Sequence, residues 1–335
     1  MAKPPSSFAL RGPFPVGVVE TSIDAPDSSA HTEPSAADPP TSRALPTEIW
    51  YPAASGQGEA EDAPHPFGVP HRAGLNLAPR RDIACPLIGF SHGNSGLRHQ
   101  STFLMTHLAS WGIVVVAPDH VGNTFREMMA LPDEEARKAT HRQIRSQRPH
   151  DLHAVIQALL DRNHLEDELP RLDARHLGLL GHSFGGWTTL KVAALEPRVK
   201  AICCLAPASE PFVGRKAFEP VELPLAPGIE SLILAAQDDV LVDLETSIRP
   251  LYDRLGEKAR LEVIERSDHF HFCDGIEMLH KMHENNPREN QLRSIRPLAE
   301  LRDELDMHTL LNERVMRFFG EAFGIHPESP DRATV

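Results

Sequence analysis

Short apolar runs recur along the chain with helix-period stretches between them. Pro15 to Ile23 and Thr47 to Trp50 predict two outer strands, and six later runs predict the rest of a sheet. These are Leu87 to Phe90, Ile113 to Ala117, Leu177 to Leu180, Val199 to Leu205, Ser231 to Ala236 and Leu261 to Ile264. The central runs are continuously apolar, the pattern of strands covered on both faces. Between them, Leu104, Leu108 and Trp111 mark one stripe of a helix over Thr102 to Ser110, followed by Gly112 as a C-terminal cap. Leu152 to Arg162, Phe184 to Leu195 and Leu310 to Phe323 predict further helices. This alternation predicts an α/β fold with a mostly parallel central sheet and helices on both faces.

Four stretches depart from the rhythm: Asp24 to Pro46, Ala53 to Arg81, Val121 to Pro149 and Gly275 to Arg302. The first two are rich in Pro, Ser, Ala and Gly and predict surface excursions. The last two are charged and predict helices; following strands at the carboxyl edge, 121–149 and 275–302 would form a lid or rim over a site there, or plain connecting helices. With no internal repeat and no long linker, a single domain over 1–335 is expected.

Composition narrows the function class. There are 34 Lys+Arg against 47 Asp+Glu, a formal net charge of -13, and no basic run, which disfavours a nucleic-acid partner. No apolar run approaches the roughly 18 residues of a transmembrane helix. The stretch Met1-Ala2-Lys3-Pro4-Pro5 lacks the apolar region of a secretory signal, so cytoplasmic residence is the expectation. Four scattered cysteines, Cys85, Cys203, Cys204 and Cys273, suit neither a disulfide framework nor a zinc knuckle. The 30 prolines predict many fixed corners between short elements.

The strongest chemical signal is Gly181-His182-Ser183-Phe184-Gly185-Gly186, directly after an apolar strand and directly before a helical stretch. In that strand-turn-helix context G-x-S-x-G holds the serine in a sharp, strained turn with its hydroxyl pushed clear of the sheet. The following helix directs free N–H groups and partial positive charge toward developing negative charge. A second glycine turn, Phe90-Ser91-His92-Gly93-Asn94-Ser95-Gly96, follows an earlier strand. An acyl-transfer site needs two N–H donors for its oxyanion, and the backbone groups of Phe184 and Asn94 are the candidates.

A serine hydroxyl becomes nucleophilic only when a base takes its proton, so an acid and a histidine must follow in that order. Ala236-Gln237-Asp238-Asp239 ends a strand, and Asp239 best matches a small residue, two spacers and the acid. Asp238 competes closely; Asp243 and Glu210 are remoter candidates. After Leu261 to Ile264 comes Ser267-Asp268-His269-Phe270-His271-Phe272, which makes His269 the base and His271 its alternative.

These features resemble the α/β-hydrolase superfamily, and more narrowly its dienelactone-hydrolase-like branch, with proteins similar to platelet-activating-factor acetylhydrolases and bacterial polyester hydrolases. The resemblance is carried by Gly12-Pro13-Phe14-Pro15-Val16-Gly17, Glu48-Ile49-Trp50-Tyr51-Pro52, Phe90-Ser91-His92-Gly93, Arg148-Pro149-His150-Asp151-Leu152, Gly181 to Gly186 and Asp268-His269-Phe270. Position 183 is serine, whereas dienelactone hydrolases carry a cysteine nucleophile. The resemblance implies an α/β-hydrolase fold and a serine esterase with a Ser183, Asp239, His269 triad, acting on a small-molecule ester without metal or organic cofactor. An acyltransferase or amidase using the same triad, a non-catalytic module on the same fold and a metal-dependent hydrolase are the rivals. The histidines show no H-E-x-x-H or Cys/His metal pattern.

Overall fold

A computed structural model describes residues 8–26, 42–55, 63–66, 68–161, 165–285 and 294–327. Its strands are β1 (Val16–Pro26), β2 (Ser42–Pro52), β3 (Gly74–Leu75), β4 (Ala84–Ser91), β5 (Val114–Pro118), β6 (Arg171–His182), β7 (Val199–Leu205), β8 (Glu230–Ala236) and β9 (Ala259–Ile264). They form one sheet in the order β3-β1-β2-β5-β4-β6-β7-β8-β9. β2 is antiparallel to both β1 and β5, while β5, β4, β6, β7, β8 and β9 are mutually parallel. The parallel strands therefore deliver the residues after Ser91, Pro118, His182, Leu205, Ala236 and Ile264 to a single edge.

The helices are α1 (Thr102–Ser110), α2 (Phe125–Met129), α3 (Glu134–Leu160), α4 (Phe184–Leu195), α5 (Glu210–Val213), α6 (Arg249–Leu255), α7 (Ile276–Glu284) and α8 (Glu304–Phe323). The continuous apolar strands are explained by two cores. In β5, Val114 and Val116 face one core and Val115 and Ala117 the other; in β7, Ile202 and Cys204 alternate with Cys203 and Leu205. α3, α4 and α6 cover the first face, and α1 with α8 cover the second. On α8, Leu311, Val315, Phe318, Phe319 and Phe323 are all buried, each contributing about 1.5–3 kcal/mol of apolar burial.

Several elements extend beyond the apolar signal. β1 and β2 pair as far as Pro26 and Ser42, so residues at both ends of the expected 24–46 excursion are strand, while 27–41 lie outside the described residues. Those strand ends mix polar residues with the buried Ile23, Ala25 and Leu45, and Arg43 bonds Asp151 on α3, a mixture with no continuous apolar run. α3 reaches back to Glu134, running through Pro149, because its first turns are charged and its buried positions begin only at Ile144. Asp133 caps it by accepting from the Ala136 N–H at 2.8 Å. α8 likewise starts six residues before the expected Leu310, capped by Asp303 accepting from the Asp306 N–H. Residues 286–293 of the expected 275–302 segment lie outside the described residues; α7 occupies its first part.

The junction of β6, α4 and β4 leaves no room for side chains. A Cβ at Gly181 would lie 2.3 Å from the Gly185 carbonyl oxygen, and one at Gly185 would lie 1.8 Å from the Ser91 carbonyl oxygen on β4. Either atom would force α4 away from the sheet. Gly185→Ala is therefore expected to destabilise the protein by at least about 3 kcal/mol, read as a lowered midpoint in chemical denaturation. An unchanged midpoint would show that the junction tolerates the extra atom.

Candidate active site

Ser183 stands between β6 and α4 with φ 54° and ψ -120°, a conformation L-residues rarely adopt. Main-chain hydrogen bonds hold it there. Its N–H donates to the Leu205 carbonyl, and its own carbonyl accepts from Ala208 and Gly186, at 2.8 to 2.9 Å. The elbow is thus pinned to the end of β7 as well as to α4. Ser183 is only 8 % exposed, and its hydroxyl makes no hydrogen bond among the described residues, so its proton is not committed elsewhere.

The two candidate acids after β8 separate cleanly. Asp239 is buried, and its Oδ2 accepts from His269 Nδ1 at 2.6 Å while Oδ1 accepts from the Leu241 and Val242 N–H groups, each at 2.8 Å. Asp238 turns outward, 3.3 Å from Arg296 Nη1. The remoter candidates are engaged elsewhere: Asp243 caps residues 244–248 and Glu210 pairs with Arg254. Backbone bonds from Gln237 to the Ile264 carbonyl and from Asp238 to the Ser267 carbonyl bring the acid loop against the loop that carries His269.

His269 opens a tight turn over His269–Phe272, capped by Asp268, whose Oδ1 accepts from the Phe270 N–H. His271, the alternative base, packs away from Asp239: its Nδ1 lies 2.7 Å from Asp268 Oδ1 and its Nε2 lies 3.1 Å from the Arg302 carbonyl. Asp268 also accepts from His280 Nδ1 on α7. Burial opposes ionisation of Asp268, but hydrogen bonds from His271 and His280 hold its carboxyl well below the usual range; the same bond raises the His280 imidazole. Asp268 therefore ties α7 to the loop bearing His269.

The remaining pieces were not anticipated from sequence. Gln100 Oε1 accepts from the Gly93 N–H at 2.9 Å, which directs its amide nitrogen to His182 Nδ1 at 2.8 Å. His182 must then carry its proton on Nε2 and donate it to the His269 carbonyl at 3.0 Å. Burial lowers the His182 imidazole well below its ordinary range, first among the causes, so this neutral form is the stable one. One chain of bonds thereby connects the Gly93 turn, the residue before Ser183 and the residue after Asp268. No short motif signals Gln100, which lies seven residues beyond Gly93.

The two expected N–H donors flank the serine. Neither the Phe184 nor the Asn94 main-chain N–H donates to a protein acceptor among the described residues, as expected at the first turn of α4 and at an open loop. A Cβ at Gly93 would come 3.5 Å from Ser183 Cβ, so the Asn94 turn lies directly beside Ser183. The Asn94 side chain is held by Asn123, whose Nδ2 donates to Asn94 Oδ1 at 3.0 Å.

Trp187 packs in the core with its indole N–H on the Ala217 carbonyl. Phe125 and Met129 on α2 are exposed, and α2 is bonded to the Asn94 turn through Phe125 N–H to the Gly96 carbonyl. Phe212 on α5 is 42 % exposed and meets Phe184 and His141 edge to face. These groups make an apolar shoulder beside the candidate oxyanion site.

Glu20, Glu48 and His99 bring ligand-type atoms within 4.8 Å of one another. The Arg98 guanidinium already stands 3.6 Å from Glu20 and 3.7 Å from Glu48. Burial pushes Glu48 up to about 7 and His99 down to about 4, and His99 Nε2 stands against Glu48 Oε2. The Arg98 guanidinium thus already occupies the space among these side chains, beside the loop that leads to Gln100.

A family model described as PET hydrolase-like matches residues 89–283, more than half of the chain. Cutinase est2 of Thermobifida alba is 28% identical over 233 residues, covering 69% of this chain and 68% of that protein. Cutinase 2 of Thermobifida cellulosilytica is 26% identical, covering 69% of this chain and 78% of its own. A ferulic acid esterase structure from Streptomyces cinnamoneus superposes with a TM-score of 0.66 at 22% identity, covering 92% of this chain and 90% of that one, which shows a shared fold. These matches support the α/β-hydrolase superfamily and not the narrower dienelactone-hydrolase-like branch.

The contrast between the adjacent carboxylates gives a direct test. Asp239→Asn is expected to lower kcat for a p-nitrophenyl ester by about 10³- to 10⁴-fold, and Asp238→Asn to change it less than about twofold. The reverse ranking in steady-state kinetics would reassign the acid.

Proposed function

The chain belongs to the PET hydrolase-like family and is a carboxylic ester hydrolase of the α/β-hydrolase fold, and we propose that Ser183, Asp239 and His269 carry its chemistry. The observation that carries this reading is the 2.6 Å bond from His269 Nδ1 to a buried Asp239, with the ring of His182, the residue before a serine held at positive φ, 4.6 Å from that of His269. With Nδ1 committed as a donor, His269 Nε2 is the lone-pair nitrogen that takes the Ser183 proton. Ser183 Oγ then bonds to the ester carbonyl carbon, and the carbonyl oxygen becomes an oxyanion accepting from the Phe184 and Asn94 N–H groups. His269 returns its proton to the alkoxide leaving group, which departs as the alcohol. Water, deprotonated by the same histidine, attacks the acyl-enzyme and releases the acid with Ser183 restored.

The apolar shoulder of Phe125, Met129 and Phe212 favours an ester with an apolar group on one side of the scissile bond. Residues 121–149 contribute Phe125 and Met129 through α2, α5 contributes Phe212, and α7 stands behind the loop of His269. α2 and α7 act as a rim to a single catalytic domain. The substrate partner is a small-molecule ester.

Ser183→Ala is expected to lower turnover of p-nitrophenyl butyrate by at least about 10⁴-fold with an unchanged melting temperature. Turnover retained within tenfold in the folded variant would remove the serine assignment. Phe212→Asp is expected to raise KM for p-nitrophenyl hexanoate about tenfold, from lost apolar contact, with a smaller effect on the acetate. Equal effects on both esters would take Phe212 out of the substrate shoulder.

A further inference from the structure

Arg148 lies on α3, fully buried, and no carboxylate stands within ion-pair reach of it among the described residues. The nearest acid, Asp151, is bonded instead to Arg43 and to His120 Nδ1. An arginine so placed is costly unless each donor is satisfied, and here every partner belongs to the nucleophile helix or to the loops beside it. Nε donates to Thr188 Oγ1 on α4 at 3.0 Å, and Thr188 in turn donates to the Phe184 carbonyl at 2.9 Å. Nη2 donates to Ser91 Oγ at 3.0 Å and to the His92 carbonyl, the two residues that lead into the Asn94 turn. Nη1 donates to Asn123 Oδ1 at 2.6 Å, and Asn123 holds the Asn94 side chain. The guanidinium carbon also stands 4.7 Å from the centre of the Phe184 ring.

Phe184 and Asn94 supply the two donors of the oxyanion site in the mechanism above, and one guanidinium reaches the surroundings of both. We infer that Arg148 is a positioning residue for ester hydrolysis: it fixes the spacing of the Phe184 and Asn94 N–H groups and places a buried positive charge behind them. The inference rests on the proposed serine-hydrolase mechanism. Planarity is essential to it, because only a rigid fork can bond Thr188, Asn123, Ser91 and the His92 carbonyl at once; an ammonium has the charge without that geometry. Burial lowers the Arg148 guanidinium to about 9, which still leaves it cationic at neutral pH. The charge is therefore present throughout the working range. Ser91 Oγ passes the order on, donating to His120 Nε2 at 2.8 Å, and His120 donates to Asp151. Every member of this buried network has a partner, so the loop is preorganised before substrate arrives.

The experiment compares wild type with Arg148→Lys and Asn123→Ala. For each protein it measures kcat and KM for p-nitrophenyl acetate, melting temperature, and inhibition by an alkyl trifluoromethyl ketone, which adds to the serine as a tetrahedral oxyanion. Binding of benzyl alcohol, a neutral competitor that forms no oxyanion, is measured alongside. Arg148→Lys is expected to lower kcat about 100-fold, the scale of one lost oxyanion donor, and to weaken the ketone by a similar factor. KM and benzyl alcohol binding should stay within about threefold. Asn123→Ala, which keeps the guanidinium, is expected to lose about tenfold in both kcat and ketone affinity. A general packing defect would lower melting temperature without singling out the ketone. If the ketone binds both folded variants within twofold of wild type, the inference is overturned. Should Arg148→Lys fail to fold, Asn123→Ala decides by the same criterion. Ketone binding to Ser183→Ala as tight as to wild type would instead sink the underlying mechanism, so the two failures are distinguishable.

Discussion

A Cβ at Gly185 would lie 1.8 Å from the Ser91 carbonyl oxygen, and one at Gly181 would lie 2.3 Å from that of Gly185. This closeness of β6, α4 and β4 is what bends the chain so sharply that Ser183 is driven to φ 54°. Strain of that kind costs on the order of 1–3 kcal/mol and persists only where the surroundings over-determine it. Here they do: the hydrogen bonds to Leu205 and from Ala208 and Gly186 fix the main chain on either side. The same contact between α4 and β4 puts the first turn of the nucleophile helix beside the turn after β4. The two candidate oxyanion donors are therefore neighbours for the same reason that the serine is held at positive φ.

Polar bonds then bring the separate loops into register. Gln100 and His182 connect the Gly93 turn to the main chain of His269, while Asp239 holds the imidazole from the other side. His92, His120 and His182 are all kept neutral, chiefly by burial. Neutral rings can accept at one nitrogen and donate at the other, so each acts as a directional strut rather than a charge. Arg148 is a buried cation of this layer, bonded to the His92 carbonyl and set against the Phe184 ring. A layer built this way needs no reorganisation when the acyl carbon becomes tetrahedral.

Much of this was legible in the sequence because it is written in local patterns. Val199–Leu205, Thr102–Ser110 and Phe184–Leu195 were bounded correctly, since apolar runs and glycine turns mark them. G-x-S-x-G located the elbow, and the run Ala236-Gln237-Asp238-Asp239 narrowed the acid to two residues. The choice between those two needed the chain in three dimensions, where Asp238 faces Arg296 and Asp239 faces His269. The charged stretch 121–149 predicts helices but not where α3 begins, because a charged helix face carries no apolar stripe. Gln100, Asn123 and Arg148 escaped because their partners lie on other elements and no short motif records a long-range hydrogen bond. The connection of α2 to the Asn94 turn is likewise a tertiary fact.

We propose one strained serine, Ser183, activated by His269 and Asp239, as the nucleophile. Diethyl p-nitrophenyl phosphate tests it most directly, because attack by the serine releases p-nitrophenolate and leaves a stable diethylphosphoryl group on the oxygen that attacked. The account predicts a burst of one equivalent of p-nitrophenolate, loss of esterase activity in step with it, and a phosphorylated peptide modified at Ser183. Modification at any other residue, or esterase activity that survives complete modification of Ser183, would contradict it.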